Sequence, residues 1–162
     1  MSHLNNVKLK EASNHLWYEI WMFQELVKGP SITDNNQIIT NALLESFAIH
    51  VRALIHFFFD KSGQKDDILA IHFFSDPDYW IEHSPPCTNI LKEAKKRADK
   101  EVAHLTYTRQ KVTPDKKPWR LIPIANDLQK AIEMFFELVP KELLGKRWDQ
   151  TIKQSQSDNK KT

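Results

Sequence analysis

Two residues of complementary chemistry, Arg97 and His104, lie seven positions apart in a segment whose composition favours a helix. Seven residues make almost two turns of an α-helix, so both side chains should project along nearly one line, with Glu101 between them. An arginine can clamp a phosphate, and a histidine can move protons near neutral pH. The spacing indicates chemistry on a phosphodiester, although charges beside an apolar stripe are also typical of the solvated edge of a surface helix.

The composition of the chain is that of one soluble globular domain. Of its 162 residues, 41% are hydrophobic and 27% are charged, and the formal net charge is +2. This small charge does not imply a large nucleic-acid footprint. The single cysteine, Cys87, excludes an internal disulfide, and residues 1–6 carry no apolar run of the kind found in export signals. We therefore expect a cytoplasmic protein that has no membrane partner.

Apolar periodicity predicts an all-α fold. Glycine is scarce, with 3 in the chain, and long segments repeat apolar residues at three- and four-residue steps. Gly29-Pro30 ends the first segment, and Thr33 or Asp34 could cap the second. Thr88 could cap the third. We expect an up-and-down bundle of four to five main helices plus short helices, the long ones near 8–28, 33–59, 88–106 and 120–139.

The remaining segments carry weaker signals. Residues 68–74 fit a short helix or a packed loop, and residues 75–86 show no clear period. Trp17 and Trp21 lie one turn apart beside the apolar stripe of the first helix, where core positions are expected. We predict a single helical-bundle domain over residues 1–148, followed by a polar, disordered tail over residues 149–162.

The second helix combines a broad apolar face with a polar line that holds Glu45, Arg52 and His56. An isolated buried charge is costly, so these residues must face solvent or find partners in a pocket or a dimer interface. The apolar surface of this helix predicts a homodimer with an isologous helical contact. A buried network that fixes the register of the helices is the role that we favour for the three polar residues.

Familiar catalytic and metal-binding motifs do not occur in the sequence. It has no Gly-rich phosphate loop, no HExxH, no paired CxxC and no serine nucleophile elbow. Glu45, Asp66 and Asp67 could serve a Mg²⁺-dependent, all-α nucleotide hydrolase, but the ExxE…ExxD pattern of such enzymes is missing. Glu133 and Glu137 fit a solvated edge. We expect no cofactor and no metal site.

A basic segment over residues 107–118 separates the last two long helices. It contains Tyr107, Arg109 and Lys111, which could contact RNA through an aromatic ring and two cations. Basic loops also serve solubility alone, so both readings remain open.

Three strings, over residues 41–47, 52–58 and 100–107, look like those of a widespread group of uncharacterised bacterial helical proteins. The Arg97-to-His104 element also resembles the RX4–6H signature of the HEPN superfamily, with six intervening residues. The resemblance spans roughly residues 38–108 and is strongest at the third helix. HEPN domains commonly have Asn, Asp or His directly after the arginine, whereas this chain has Ala98 there and Asp99 one place later.

The resemblance implies an all-α domain that acts on RNA. Many such domains are metal-independent endoribonucleases that pair two copies at the motif, and many others bind RNA or nucleotides without cleaving them. Arg97 would hold the scissile phosphate, and His104 would act as base on the 2′-hydroxyl or as acid toward the leaving oxygen. Glu45 would orient one of them, with Asp99 and Glu101 in support. RNA or a nucleotide, a second copy and a cognate antitoxin or other regulatory protein are the implied partners. Ala98 favours the alternative of a non-catalytic interaction or regulatory homodimer.

Overall fold

The computed structural model describes residues 3–29, 36–103, 106–107 and 118–152. These residues form an all-α bundle, and none of them lies in a strand. The α-helices are α1 (His3–Lys28), α2 (Gln37–Phe59), α3 (Pro77–His83), α4 (Asn89–Arg97) and α5 (Leu121–Leu138). Ala98–Ala103 continues α4 as a π-helix, and 3₁₀ turns cover Ala70–Phe73, Lys141–Leu143 and Lys146–Trp148. The predicted fold class is confirmed.

Aromatic side chains fill the centre of the bundle. The ring of Phe135 on α5 meets Phe57 and Phe58 of α2 edge-on, at centroid distances of 5.3 and 5.8 Å. Trp80 of α3 packs on the same ring at 5.6 Å, and its indole N–H donates to the carbonyl of Phe58 at 2.8 Å. This hydrogen bond satisfies the indole while its rings are buried, so α3 is held against α2 by one residue.

The C-terminal turns are fastened to α1 by hydrogen bonds. The amide of Gly145 donates to Ser13 Oγ at 2.7 Å, and Trp148 Nε1 donates to the carbonyl of Ser13 at 2.8 Å. A Cβ at position 145 would lie 2.4 Å from Asn14 Oδ1, which explains a glycine in this glycine-poor chain. Residues 149–152 are helical, and Ile152 packs on the core. The predicted tail therefore starts too early, and residues 153–162 lie outside the described part.

The end of a helix lies where the sequence predicts it when only one residue nearby gives a start or stop signal. Gly29 adopts a φ of 77°, the left-handed conformation that ends α1 as predicted. The predicted start of the second helix at Thr33 or Asp34 is wrong, because α2 begins at Gln37. Asn36 caps it, and its side chain accepts from the amides of Ile38 and Ile39. Thr33 and Asp34 lie outside the described residues.

Helix α3 falls in the segment for which no period was expected. Asp76 caps it through the amide of Asp78 at 3.0 Å, and Pro77 occupies its first position. An Asp-Pro pair is a recognised start signal, but seven residues are too few to show periodicity.

Helix α2 is the one helix of the described chain that could cross a membrane by length and composition. Its most apolar window has a mean hydropathy of 1.4, and 44% of that window is buried inside the bundle. The central helix of a soluble bundle has the same composition, so this finding is weak evidence for a membrane span.

Candidate functional site

The guanidinium of Arg97 is held from three directions. Its Nε lies 3.0 and 3.1 Å from the two carboxylate oxygens of Glu101, and its Nη2 lies 3.0 Å from Oε2. Its Nη1 donates to the carbonyl of Pro118 at 3.3 Å, and its Cζ lies over the Trp119 ring, 4.5 Å from the ring centroid. Only 15% of the Arg97 side chain and 19% of the Glu101 side chain is exposed. Arg97 thus joins the end of α4 to the segment that enters α5.

The π-helix changes the alignment that the sequence predicts. Helix α4 keeps α geometry only to Arg97, where the amide of Ala98 is shared between the carbonyls of Ala94 and Lys95. A π turn closes with i→i+5 bonds and holds more residues than an α turn, so residues 98–103 do not keep the α-helical register that the sequence predicts. The prediction of one continuous α-helix over 88–106 is therefore wrong beyond Arg97. His104 lies outside the described residues.

Two of the predicted supporting residues meet beside this segment. Arg52 of α2 donates through Nε to Asp99 Oδ1, which joins the middle of α2 to the π-helix. Arg97–Glu101 and Arg52–Asp99 are thus neighbouring ion pairs, and both involve the residues that follow Ala98. The arrangement matches the register-fixing role proposed for Arg52 more closely than a role at reacting atoms.

His56 belongs to a different cluster. Its Nδ1 lies 2.6 Å from Asp60 Oδ2, and its Nε2 lies 3.2 Å from Asp67 Oδ2. Lys95 of α4 also contacts Asp60, with Nζ 2.5 Å from Oδ2. Burial raises the pKa of the Asp60 carboxyl, but hydrogen bonds from Lys95 and His56 outweigh it, so the pKa lies below its usual value. The cluster holds the loop after α2 against α4.

The other predicted site residues do not join Arg97. Glu45 is exposed, and no hydrogen bond or ion pair connects it to another described residue. Tyr107 is 86% exposed. Arg109 and Lys111 lie outside the described residues, so the basic segment stays a prediction.

A row of lysines that was not predicted lies on the outer face of α4 and the π-helix. Lys92, Lys96 and Lys100 recur every four residues, and all three are exposed. None of them forms an ion pair with another described residue, whereas Lys95 and Arg97 between them are both paired. The four-residue spacing inside a predicted helix was the available signal. We call these three residues the lysine row.

A metal centre is not assembled by the residues that the structure describes. Among them, no three His, Cys, Asp or Glu side chains are grouped so as to hold a metal ion. The carboxylates of the hydrolase alternative, Glu45, Asp66 and Asp67, have different surroundings. Asp67 is bonded to His56 and to the amide of Gln64, whereas Asp66 is exposed.

Comparison with known proteins gives no relative for this chain. No family model matches it, and no curated protein or solved structure does so either.

Proposed function

We propose that this protein is a HEPN-like RNA-binding protein that holds single-stranded RNA without cleaving it. The observation that carries the proposal is the division of the cations on the third helical segment. Arg97, which the signature assigns to the scissile phosphate, is committed to Glu101 and Trp119. The lysine row is exposed and has no carboxylate partner among the described residues.

The lysine row suits a phosphate backbone. Four residues of helix advance about 6 Å, so the three ammonium groups form a line on one surface. Lysine acts as a compact point charge toward phosphate, without the planar geometry that selects one orientation. A line of such charges supports binding that depends on charge and little on base sequence. This agrees with the low net charge of the chain, because only a local patch is needed.

The test is the salt dependence of RNA binding. Wild-type protein should bind a fluorescently labelled single-stranded RNA, with an affinity that falls as salt rises. Three neutralised phosphates give a slope of about −2 in log K against log salt. Replacement of the lysine row by Gln at all three positions should remove that slope together with most of the affinity. The matched control exchanges three exposed lysines elsewhere, Lys8, Lys10 and Lys65, and should bind like the wild type.

A ribonuclease is the second candidate, and the π-helix favours it. Such segments are rare and are found frequently at functional sites. Here the π-helix begins directly after Arg97. In this function Glu101 would have to release Arg97 when RNA binds. Cleavage in EDTA that is lost in Arg97→Ala and in His104→Ala would support the ribonuclease and overturn the non-cleaving proposal.

We also propose that the protein forms a homodimer through the outer face of α2. Exposed residues on this face follow one another at steps of four and three, the spacing of a helix-pairing seam. They are Ile38, Ala42, Glu45, Ile49 and Arg52. In an antiparallel pair whose twofold axis passes beside Ile49, Glu45 of one protomer would face Arg52 of the other, so this part of the contact would be self-complementary. Ile38 and Ala42 would lie outside it.

Sedimentation at several protein concentrations tests the dimer. Wild-type protein should sediment as a dimer, and Glu45→Arg should shift it to monomer because like charges then face each other across the axis. Glu45→Gln should keep the dimer. A wild-type protein that is monomeric at micromolar concentration would contradict the proposal.

A further inference from the structure

An aromatic groove lies between α1, α5 and the C-terminal turn, away from the lysine row. Its volume is about 320 Å³, within the range of small-ligand sites. Its walls are the side chains of Trp17, Ile20, Trp21, Ile132, Phe136 and Trp148. The rings of Trp17 and Trp21 are stacked, with 9° between their planes. Trp21 is 42% exposed, so the prediction that it lies in the core is wrong.

The polar part of the groove is a chain of three side chains with a fixed polarity. Gln129 Nε2 donates to Glu133 Oε1 at 2.9 Å, and Gln24 Nε2 donates to Gln129 Oε1 at 3.2 Å. A carboxylate only accepts hydrogen bonds, so Glu133 determines which way both amides point. Two acceptors then have no partner among the described residues, Gln24 Oε1 and Glu133 Oε2. The groove therefore offers flat aromatic surface beside hydrogen-bond acceptors.

We propose that this groove binds an unpaired guanine base, a role that rests on the proposed function and names the base that the bound RNA presents. Guanine carries two adjacent donors, N1–H and the 2-amino group, that can both point at one carboxylate. Adenine presents the acceptor N1 beside its amino group, cytosine presents the acceptor N3 beside its amino group, and uracil presents a carbonyl on each side of its N3–H. The indole rings supply the stacking surface.

The cationic side chain of Arg147 lies next to this site. The guanidinium of Arg147 lies 5.7 Å from the ring centroid of Trp17, which forms one wall. Arg147 is exposed, so it can contact a phosphate of the nucleotide while the base is stacked. This cation offsets the repulsion between that phosphate and Glu133.

The test is a titration of the full chain with guanosine monophosphate, in which the tryptophan fluorescence is monitored. Three of the 5 tryptophans line the groove, so saturable quenching is expected. Inosine monophosphate lacks the 2-amino group and should bind about tenfold more weakly, and adenosine monophosphate more weakly still. Glu133→Gln should lower the affinity for guanosine monophosphate by about tenfold. Glu137→Gln, an exposed carboxylate one turn further along α5, is the matched control and should bind normally.

Three results would overturn the guanine site: no saturable quenching, equal affinity for the guanine and adenine nucleotides, or no effect of Glu133→Gln. Loss of self-association in Trp21→Leu with unchanged nucleotide affinity would also overturn it and would assign the groove to a second copy. RNA binding by the lysine row is measured separately, by anisotropy. If the protein binds RNA but not guanosine monophosphate, only the guanine site is refuted. If it binds guanosine monophosphate but not RNA, only the proposed function is refuted.

Discussion

Removal of the Glu101 carboxylate should destabilise the fold, because the Arg97 guanidinium then loses three charge-assisted contacts in a mostly buried place. Glu101 makes three contacts of 3.0–3.1 Å with Arg97. In Glu101→Ala the guanidinium keeps the carbonyl of Pro118 and the ring of Trp119. A carbonyl and an aromatic ring each offset less of the guanidinium charge than a carboxylate does.

The size of the effect follows from burial and geometry. Breaking a fully buried pair by removing one partner costs roughly 3–5 kcal/mol. The Arg97 side chain retains 15% exposure, so water relieves part of that cost. We expect Glu101→Ala to lower the free energy of unfolding by about 2–3 kcal/mol, which corresponds to a Tm lower by about 4–12 °C for a chain of this size.

Urea unfolding of the two single variants and the double variant Arg97→Ala/Glu101→Ala measures this pair directly. The double variant should be more stable than the sum of the single losses predicts, because each single variant already breaks the contact between the two side chains. Glu93→Ala on the exposed face of α4 is the control and should stay within about 0.5 kcal/mol of the wild type. A Glu101→Ala variant as stable as this control would refute the reasoning, and so would additive losses.

Three further outcomes are expected from the structure. Phe135→Ala should lower the free energy of unfolding by about 3–5 kcal/mol in urea, because its ring is at the centre of the aromatic core. Thr88→Ala should cost about 1 kcal/mol in the same assay, since Thr88 caps α4 through the amide of Leu91 and also donates to Asp127. The lowered pKa of Asp60 gives stability that is present above the unfolded pKa, near 4, and is lost as pH falls through the folded value. Thermal melts of Asp60→Asn should therefore approach those of the wild type as the pH falls below about 4, and a constant difference would contradict this.

The sequence predicts the helices wherever period and stop signals coincide. The first and last helices end as expected, because Gly29 and Pro140 leave few other conformations. The start of α2 was misplaced because several residues before it could serve as caps, and only packing selects Asn36. Helix α3 was missed because a single buried tryptophan, Trp80, holds it in place, and one residue gives no period.

The candidate site was predicted less well than the fold, for a physical reason. The positions of Arg97 and Glu101 are one turn apart, so their contact could be foreseen. The π-helix after Arg97 could not, because no local composition specifies it. The partner of Arg52 is set by how α2 packs against the π-helix, whereas Asp60 follows His56 by one turn and could also be foreseen. The second contact of His56, with Asp67, depends on the path of the loop after α2. The exposure of Trp21 could not be predicted either, because apolar periodicity does not distinguish an exposed tryptophan from a buried one.

We propose that this protein holds RNA and does not cut it. The most direct measurement is incubation of wild-type protein, at concentrations that saturate binding, with labelled single-stranded RNA in EDTA. Anisotropy and gel analysis are then read from the same sample. We predict RNA that is fully bound and intact, with binding that weakens as salt rises. Fragments with 2′,3′-cyclic phosphate ends that disappear in Arg97→Ala would contradict the account, and so would RNA that stays unbound at low salt.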